Sequence, residues 1–408
     1  MPHRDFASSW ISGLTPCEAL QVLLLAASTN DSCSSVREVR QNHVAPDAKN
    51  PDCLRTAAET SFRRTINRSQ STKENQMKNV AWTLVLTGLL SAPSWAATPA
   101  RDSFEVTQRY ALGGLGGWDY LTLDPASHRL FIARDNRVMV VDSGSGKVVK
   151  EIPGMQHAHG VALAPDLHRA FVSNGHGNNV SVVDLDTLKV IGHIPVSGKD
   201  PDAIIYDRAS AHVLAMNGDS NNVSVIDPKN GKELTTIALA GNPEFAASDG
   251  TGNVYVNLED KGELAQIDIN GNAVRHTWSL SPCEGPTGLA LDSAAKRLFS
   301  VCANGWLIVT DASDGHQVAK VAVGKDPDAV AYDARTHNIF SASREGVLNV
   351  IHQDDADHYS SVVNVPTLKS ARTLALDPNS HEIFLVGAKI AEKGKPVSGF
   401  TLLVAGRH

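Results

Sequence analysis

Several things are scarce or missing in this chain, and each narrows what it can be. No apolar run reaches the ~18 to 20 residues of a membrane-spanning helix. There is no excess of positive charge: the formal net charge is −7, which opposes nucleic-acid binding through phosphate neutralisation. Aromatic residues make up only 5% of the 408 residues. No GxSxG elbow, Walker loop, Rossmann glycine set or CxxCH sequence is present, so those routes to hydrolase, nucleotide and haem chemistry find no support. NGDSNN (217–222) lacks the spacing and the terminal Glu of a calcium-binding EF-hand loop. Cysteine is sparse too. Cys17, Cys33 and Cys53 fall in the first 76 residues, which leaves Cys283 and Cys302 for all that follows.

What is present is repetition. VSVVDLDTLKVIGHIPVSGKDPDAIIYD (180–207) recurs as VSVIDPKNGKELTTIALAGNPEFAASD (223–249). Alternating apolar residues broken by polar turns predict successive antiparallel strands. Self-similarity at this period marks a repeat architecture, and four strands per copy point to a propeller. Asp124, Ala164, Asp207, Asp249, Asp292, Asp333 and Asp377 fall in one column, 40 to 44 residues apart, which makes seven copies. In each, strand A precedes the column and a tight turn follows it. Strand B then ends on Phe, Leu or Tyr, and strands C and D come after. The last copy runs out of chain before its strand D. FEVTQRYAL (104–112) precedes the first copy as strand D precedes each later one. The predicted fold is therefore all-β: a seven-bladed β-propeller of four-stranded antiparallel blades, its ring closed by the N-terminal strand completing the last blade.

The first 96 residues do not share this pattern. Met77 and Lys78 are followed by an apolar run (Val80 to Leu90), and Ser94 and Ala96 fit cleavage before Ala97. Residues 77–96 read as a signal peptide and 97–408 as the propeller. Residues 1–76 read as an upstream extension, disordered or not translated. A periplasmic or secreted location follows, with no membrane span left after cleavage.

The VSVVD-type strand C with its turn, together with the Pro-x-x or Gly-x-x lead into strand A, resembles the YVTN-repeat, YncE-like propellers of exported microbial proteins. The resemblance covers roughly residues 103–406. It implies the fold and export, and leaves activity open, because propellers host both binding proteins and enzymes.

In a propeller strand A lines the central channel. The column five residues before the aligned Asp sits at its mouth, and holds Asp119, His159, Asp202, Glu244, Thr287, Asp328 and Arg372. These side chains are expected to converge, either as a hydrated lining or as a site for a ligand or a divalent cation, for which carboxylates and an imidazole are suitable donors. His157 and His159 share one side if QHAHG is extended, and His176 in NGHGNN belongs to the same face. Trp118 is placed to stack on a ligand or to pack. His128, His168, His212 and His381 fall in A-to-B turns and read as solvated. Cys283 and Cys302 fall at one corner of the fifth copy and are expected to form a disulfide. Two functions follow. One is an exported, monomeric binding propeller that presents its loop face to a small molecule, polymer or protein. The other is a metal-assisted hydrolase or lyase on a lactone-like substrate, with the histidines as acid and base.

Overall fold

The computed structural model describes residues 103–389 and 398–408. The expected upstream extension and signal peptide lie outside the described residues. Apart from three single-turn 3₁₀ segments, every described element is a strand. After β1 (Phe104–Ala111), one sheet holds β2 (Leu121–Asp124), β3 (Arg129–Asp142), β4 (Val148–Ala164), β5 (Arg169–Asn174), β6 (Asn179–Asp184) and β7 (Lys189–Pro195) in sequence order. The next holds β8 (Pro201–Asp207), β9 (His212–Asn217), β10 (Asn222–Asp227) and β11 (Lys232–Ala238). It is followed by β12 (Pro243–Ser248), β13 (Asn253–Leu258), β14 (Glu263–Asp268) and β15 (Ala273–Ser279). Then come β16 (Pro286–Asp292), β17 (Arg297–Cys302), β18 (Trp306–Asp311) and β19 (Gln317–Ala322). A fifth sheet holds β20 (Pro327–Asp333), β21 (Asn338–Ser343), β22 (Val347–Gln353) and β23 (Tyr359–Pro366). In the last, β24 (Leu374–Leu376), β25 (Ile383–Lys389) and β26 (Ser398–Arg407) take β1 as their fourth strand.

The expected count of seven blades is corrected by this topology. Counted as hydrogen-bonded sheets, the propeller has six blades, and the first sheet carries two copies of the repeat. The reason is local. β3 runs straight through the expected B-to-C turn, and β4 runs through the expected D-to-A link. Ala158 of β4 pairs with Asp135 on one side and Asn174 on the other, which joins the two copies into one ladder. Turn residues elsewhere interrupt the strands at these positions.

The repeated Asp column owes its chemistry to the turn. Asp124 accepts hydrogen bonds from the Ala126 amide and the Ser127 hydroxyl, and Asp333 from the Arg335 amide and the Thr336 hydroxyl. Carboxylates that bond the backbone two residues on stabilise tight turns. Ala164 cannot do this, and there the chain takes a 3₁₀ turn at Pro165–Leu167 instead. His381 departs from the expectation of a solvated turn residue. Its Nδ1 lies 2.7 Å from a carboxylate oxygen of the buried Asp333, on the preceding sheet.

The strand B column ends in Phe131, Phe171, Leu214, Tyr255, Phe299, Phe340 and Phe384, all buried. Each packs between neighbouring sheets. Phe299, Val301, Leu307 and Val309, for example, meet Val330, Ile339 and Ile351 of the next sheet. Burying one such ring contributes about 2 to 3 kcal/mol. β1 closes the ring by pairing with β26 from Phe104↔Arg407 to Ala111↔Thr401, and Phe104 lies edge-on to Phe340.

Candidate functional site at the channel mouth

β2, β4, β8, β12, β16, β20 and β24 pack one against the next around the axis and back to β2. Asp202, Glu244, Thr287 and Asp328 are each the second residue of their strand. His159 lies within β4, Asp119 just before β2 and Arg372 just before β24. The column therefore does converge, and strongly so. His159 Nδ1 lies 2.7 Å from Asp119 Oδ2 and 3.4 Å from Asp202 Oδ1. Arg372 bonds Asp328 through Nε and reaches Asp119 Oδ1 at 3.3 Å through Nη2. The Thr373 hydroxyl holds the Asp119 carbonyl at 3.0 Å. The Tyr120 hydroxyl donates to Glu244 Oε2 at 3.2 Å. Thr287 instead donates to the Pro327 carbonyl at 2.8 Å, tying two inner strands together.

The ring divides into two parts. Asp119 and Asp328 are neutralised by Arg372, with Arg344 Nη2 a further 3.8 Å from Asp328. Asp202, Glu244 and Glu259 have no Lys or Arg in ion-pair contact among the described residues. Burial pushes the Asp202 carboxyl up to about 7, helped by Asp119, Asp200 and Asp328 and opposed by His159. Burial, then the charges of Asp202, Glu259 and Asp328, drive Glu244 well above the carboxylate range. Glu259 moves up mainly through burial. For His159, burial acts to lower the value, but the Asp119 hydrogen bond and the charges of Asp202, Asp119 and Asp200 outweigh it and raise it to about 9. The physics is uniform: carboxylates held together away from water resist ionisation unless a cation joins them.

Asp119, His159 and Asp202 bring one donor atom each to within 4.8 Å of the others, close enough to share a metal ion. His157 and His176 are brought beside His159. The rings of His157 and His159 meet edge-on at 4.5 Å, and those of His157 and His176 stack at 4.2 Å. The extended geometry expected for QHAHG is not the cause, because His157 has a φ of 64°. Trp118 packs on Phe400 with ring centroids 5.3 Å apart. Sequence reasoning missed Tyr120, Asp200, Glu259 and Arg344. Asp200 was legible as the first residue of the DPD triplet; the other three lie outside the repeat column and carry no such signal. Cys283 and Cys302 are joined in a disulfide with Cα atoms 5.4 Å apart.

Sheet order and ring closure define a β-propeller with WD40-like structural neighbours. The solved structure of Kuenenia stuttgartiensis hydrazine synthase aligns with a TM-score of 0.61 at 19% identity, covering 66% of this chain and 92% of that one. The WD40 repeats of RRP9 align at 0.63 and 11% identity, covering 73% and 97%. A chain of the mitotic checkpoint complex aligns at 0.62 and 14%, covering 79% and 98%. Likeness at these identities establishes the fold alone. No family model and no curated protein matches the chain.

Proposed function

We propose that this protein is an exported binding propeller whose channel mouth receives a positively charged group, carried by a small molecule or by a partner's basic side chain. One observation carries this: Asp202, Glu244 and Glu259 are crowded and largely withdrawn from water, without the basic partners that serve Asp119 and Asp328. A bound cation relieves that repulsion and lets these carboxylates ionise. Export is supported by the leader-like segment 77–96 and by the Cys283–Cys302 bridge, since such bonds persist in oxidising compartments. The hydrolase reading is less well supported. His159 is held protonated at neutral pH, which makes it a hydrogen-bond donor rather than a base poised to activate water.

The test is a thermal-shift and calorimetric screen of the purified chain against polyamines, Lys- and Arg-containing peptides, Ca²⁺ and Mg²⁺, with matched anions as controls. A cation should raise the melting temperature, and Asp202→Asn combined with Glu244→Gln should abolish the response while the protein stays folded. Equal responses from wild type and double variant would overturn the proposal.

A further inference from the structure

We infer that His157, His159 and His176, with Asp200, form a binding site for a borderline divalent transition metal, distinct from the carboxylate arc described above. Two of the three histidines are already arranged as metal ligands usually are. His157 Nδ1 lies 3.1 Å from Asp135 Oδ1, and His159 Nδ1 lies 2.7 Å from Asp119 Oδ2. A ligating imidazole characteristically gives its other N–H to a carboxylate, which fixes the tautomer and leaves Nε2 for the metal. Here both rings of the His-Ala-His triplet are held in this way.

A second observation is independent of the first. His159 Nε2 is sealed from solvent and has no hydrogen-bond partner. Its nearest acidic neighbour, Asp200 Oδ1, is 3.9 Å away, beyond hydrogen-bond reach. In protonated His159 the Nδ1 proton is used by Asp119, so the Nε2 proton is the one left without a partner. A metal replaces that proton and restores a bond to the nitrogen without disturbing Asp119. Gly175 keeps the space open: a Cβ there would stand 2.2 Å from Asp200 Oδ1 and 2.9 Å from His159 Nε2.

The remaining donors face one cavity of about 320 Å³, lined by His157, Gly175, His176, Lys199, Asp200 and Asp219 among others. Neither ring nitrogen of His176 has a hydrogen-bond partner among the described residues. Coordination requires that exposed side chain to rotate out of its stack on His157. Lys199 opposes a cation, but Asp200 and Asp219 outnumber it. Three imidazoles and one carboxylate favour Zn²⁺, Ni²⁺ or Cu²⁺ over Ca²⁺ or Mg²⁺, which prefer all-oxygen sites. The Nδ1 side of His159, shared with Asp119 and Asp202, is the weaker candidate, because a metal there would have to break the His159–Asp119 hydrogen bond.

The probe is Zn²⁺, titrated calorimetrically into the purified, chelator-treated full chain, with Ca²⁺ in parallel. One Zn²⁺ per chain is expected, with at least tenfold preference over Ca²⁺. His157→Ala and His176→Ala lie on accessible loops and should each weaken binding tenfold or more without lowering the melting temperature of the metal-free protein. Asp135→Asn should weaken it roughly tenfold, as loss of such an orienting partner does. His316→Ala, in the exposed Asp311–Asp314–His316 cluster, should leave it unchanged. No Zn²⁺ binding, or binding equally strong in His157→Ala and His176→Ala, would overturn the site. The carboxylate-arc double variant keeps all three histidines, so loss of its cation response and loss of Zn²⁺ binding separate the two proposals.

Discussion

His159 shows how far one side chain can depart from its solution behaviour. It is largely buried between Asp119 and Asp202 and is raised from an ordinary 6.5 to about 9. A histidine with a raised folded value contributes stability that is fully present below about 6.5 and is lost as pH climbs through 9. The melting temperature should therefore fall between these values, and His159→Gln should flatten that limb. Melting curves at pH 6, 7.5 and 9 check this; identical slopes in the two proteins would refute it. Asp202 acts at lower pH with the same direction. Its carboxyl rises from 3.8 to about 7 through burial, so its contribution is complete below about 4 and gone above 7. Asp202→Asn removes the buried charge, and at pH 8 it is expected to melt above wild type. A variant melting below wild type at pH 8 would show that pairing with His159 outweighs desolvation.

At the scale of elements, closure of the ring depends on β1. It supplies the outer strand beside β26 and buries Phe104 against Phe340. Phe104 alone contributes about 2 kcal/mol, and losing the strand also exposes the β26 edge. Deleting residues 104–111 should lower the melting temperature by about 5 °C or more and promote association through the open edge. Light scattering and melting of the truncated chain measure both effects, and an unchanged melting point would argue against closure by this strand. The Cys283–Cys302 bridge pins the link before β16 to the end of β17. Closing a loop of this length stabilises by roughly 3 kcal/mol at most, so Cys302→Ser should be destabilised by up to that amount. Free-thiol titration of the unfolded, unreduced wild type should find no reactive thiol from this pair.

Over the whole molecule, the location remains a proposal with a direct check. Cleavage after Ala96 predicts that the exported protein begins at Ala97, which mass spectrometry of its N-terminal peptide reads directly. Peptides from residues 1–76 in a native extract would contradict it.

What the sequence by itself determined is whatever depends on neighbours along the chain. Alternating apolar residues and Asp turns specified strands, and the Phe column specified which residues enter the core. The unpaired strand at 104–112 specified how the ring closes. Each of these is set by period-two geometry and turn chemistry acting over a few residues. The residues of the channel mouth were legible for the same reason, since the repeat places them in one column. Only the tertiary structure decided the sheet count, because Ala158 pairs on both edges and fuses two copies. It also decided the charge balance of the site. Arg372 meets Asp119 from 253 residues away, and Tyr120 meets Glu244 across neighbouring strands. No local rule assigns Arg372 to Asp119 and Asp328 while leaving Asp202 and Glu244 without it. That choice is made by the angle at which each inner strand packs against the next, which exists only once the ring has closed.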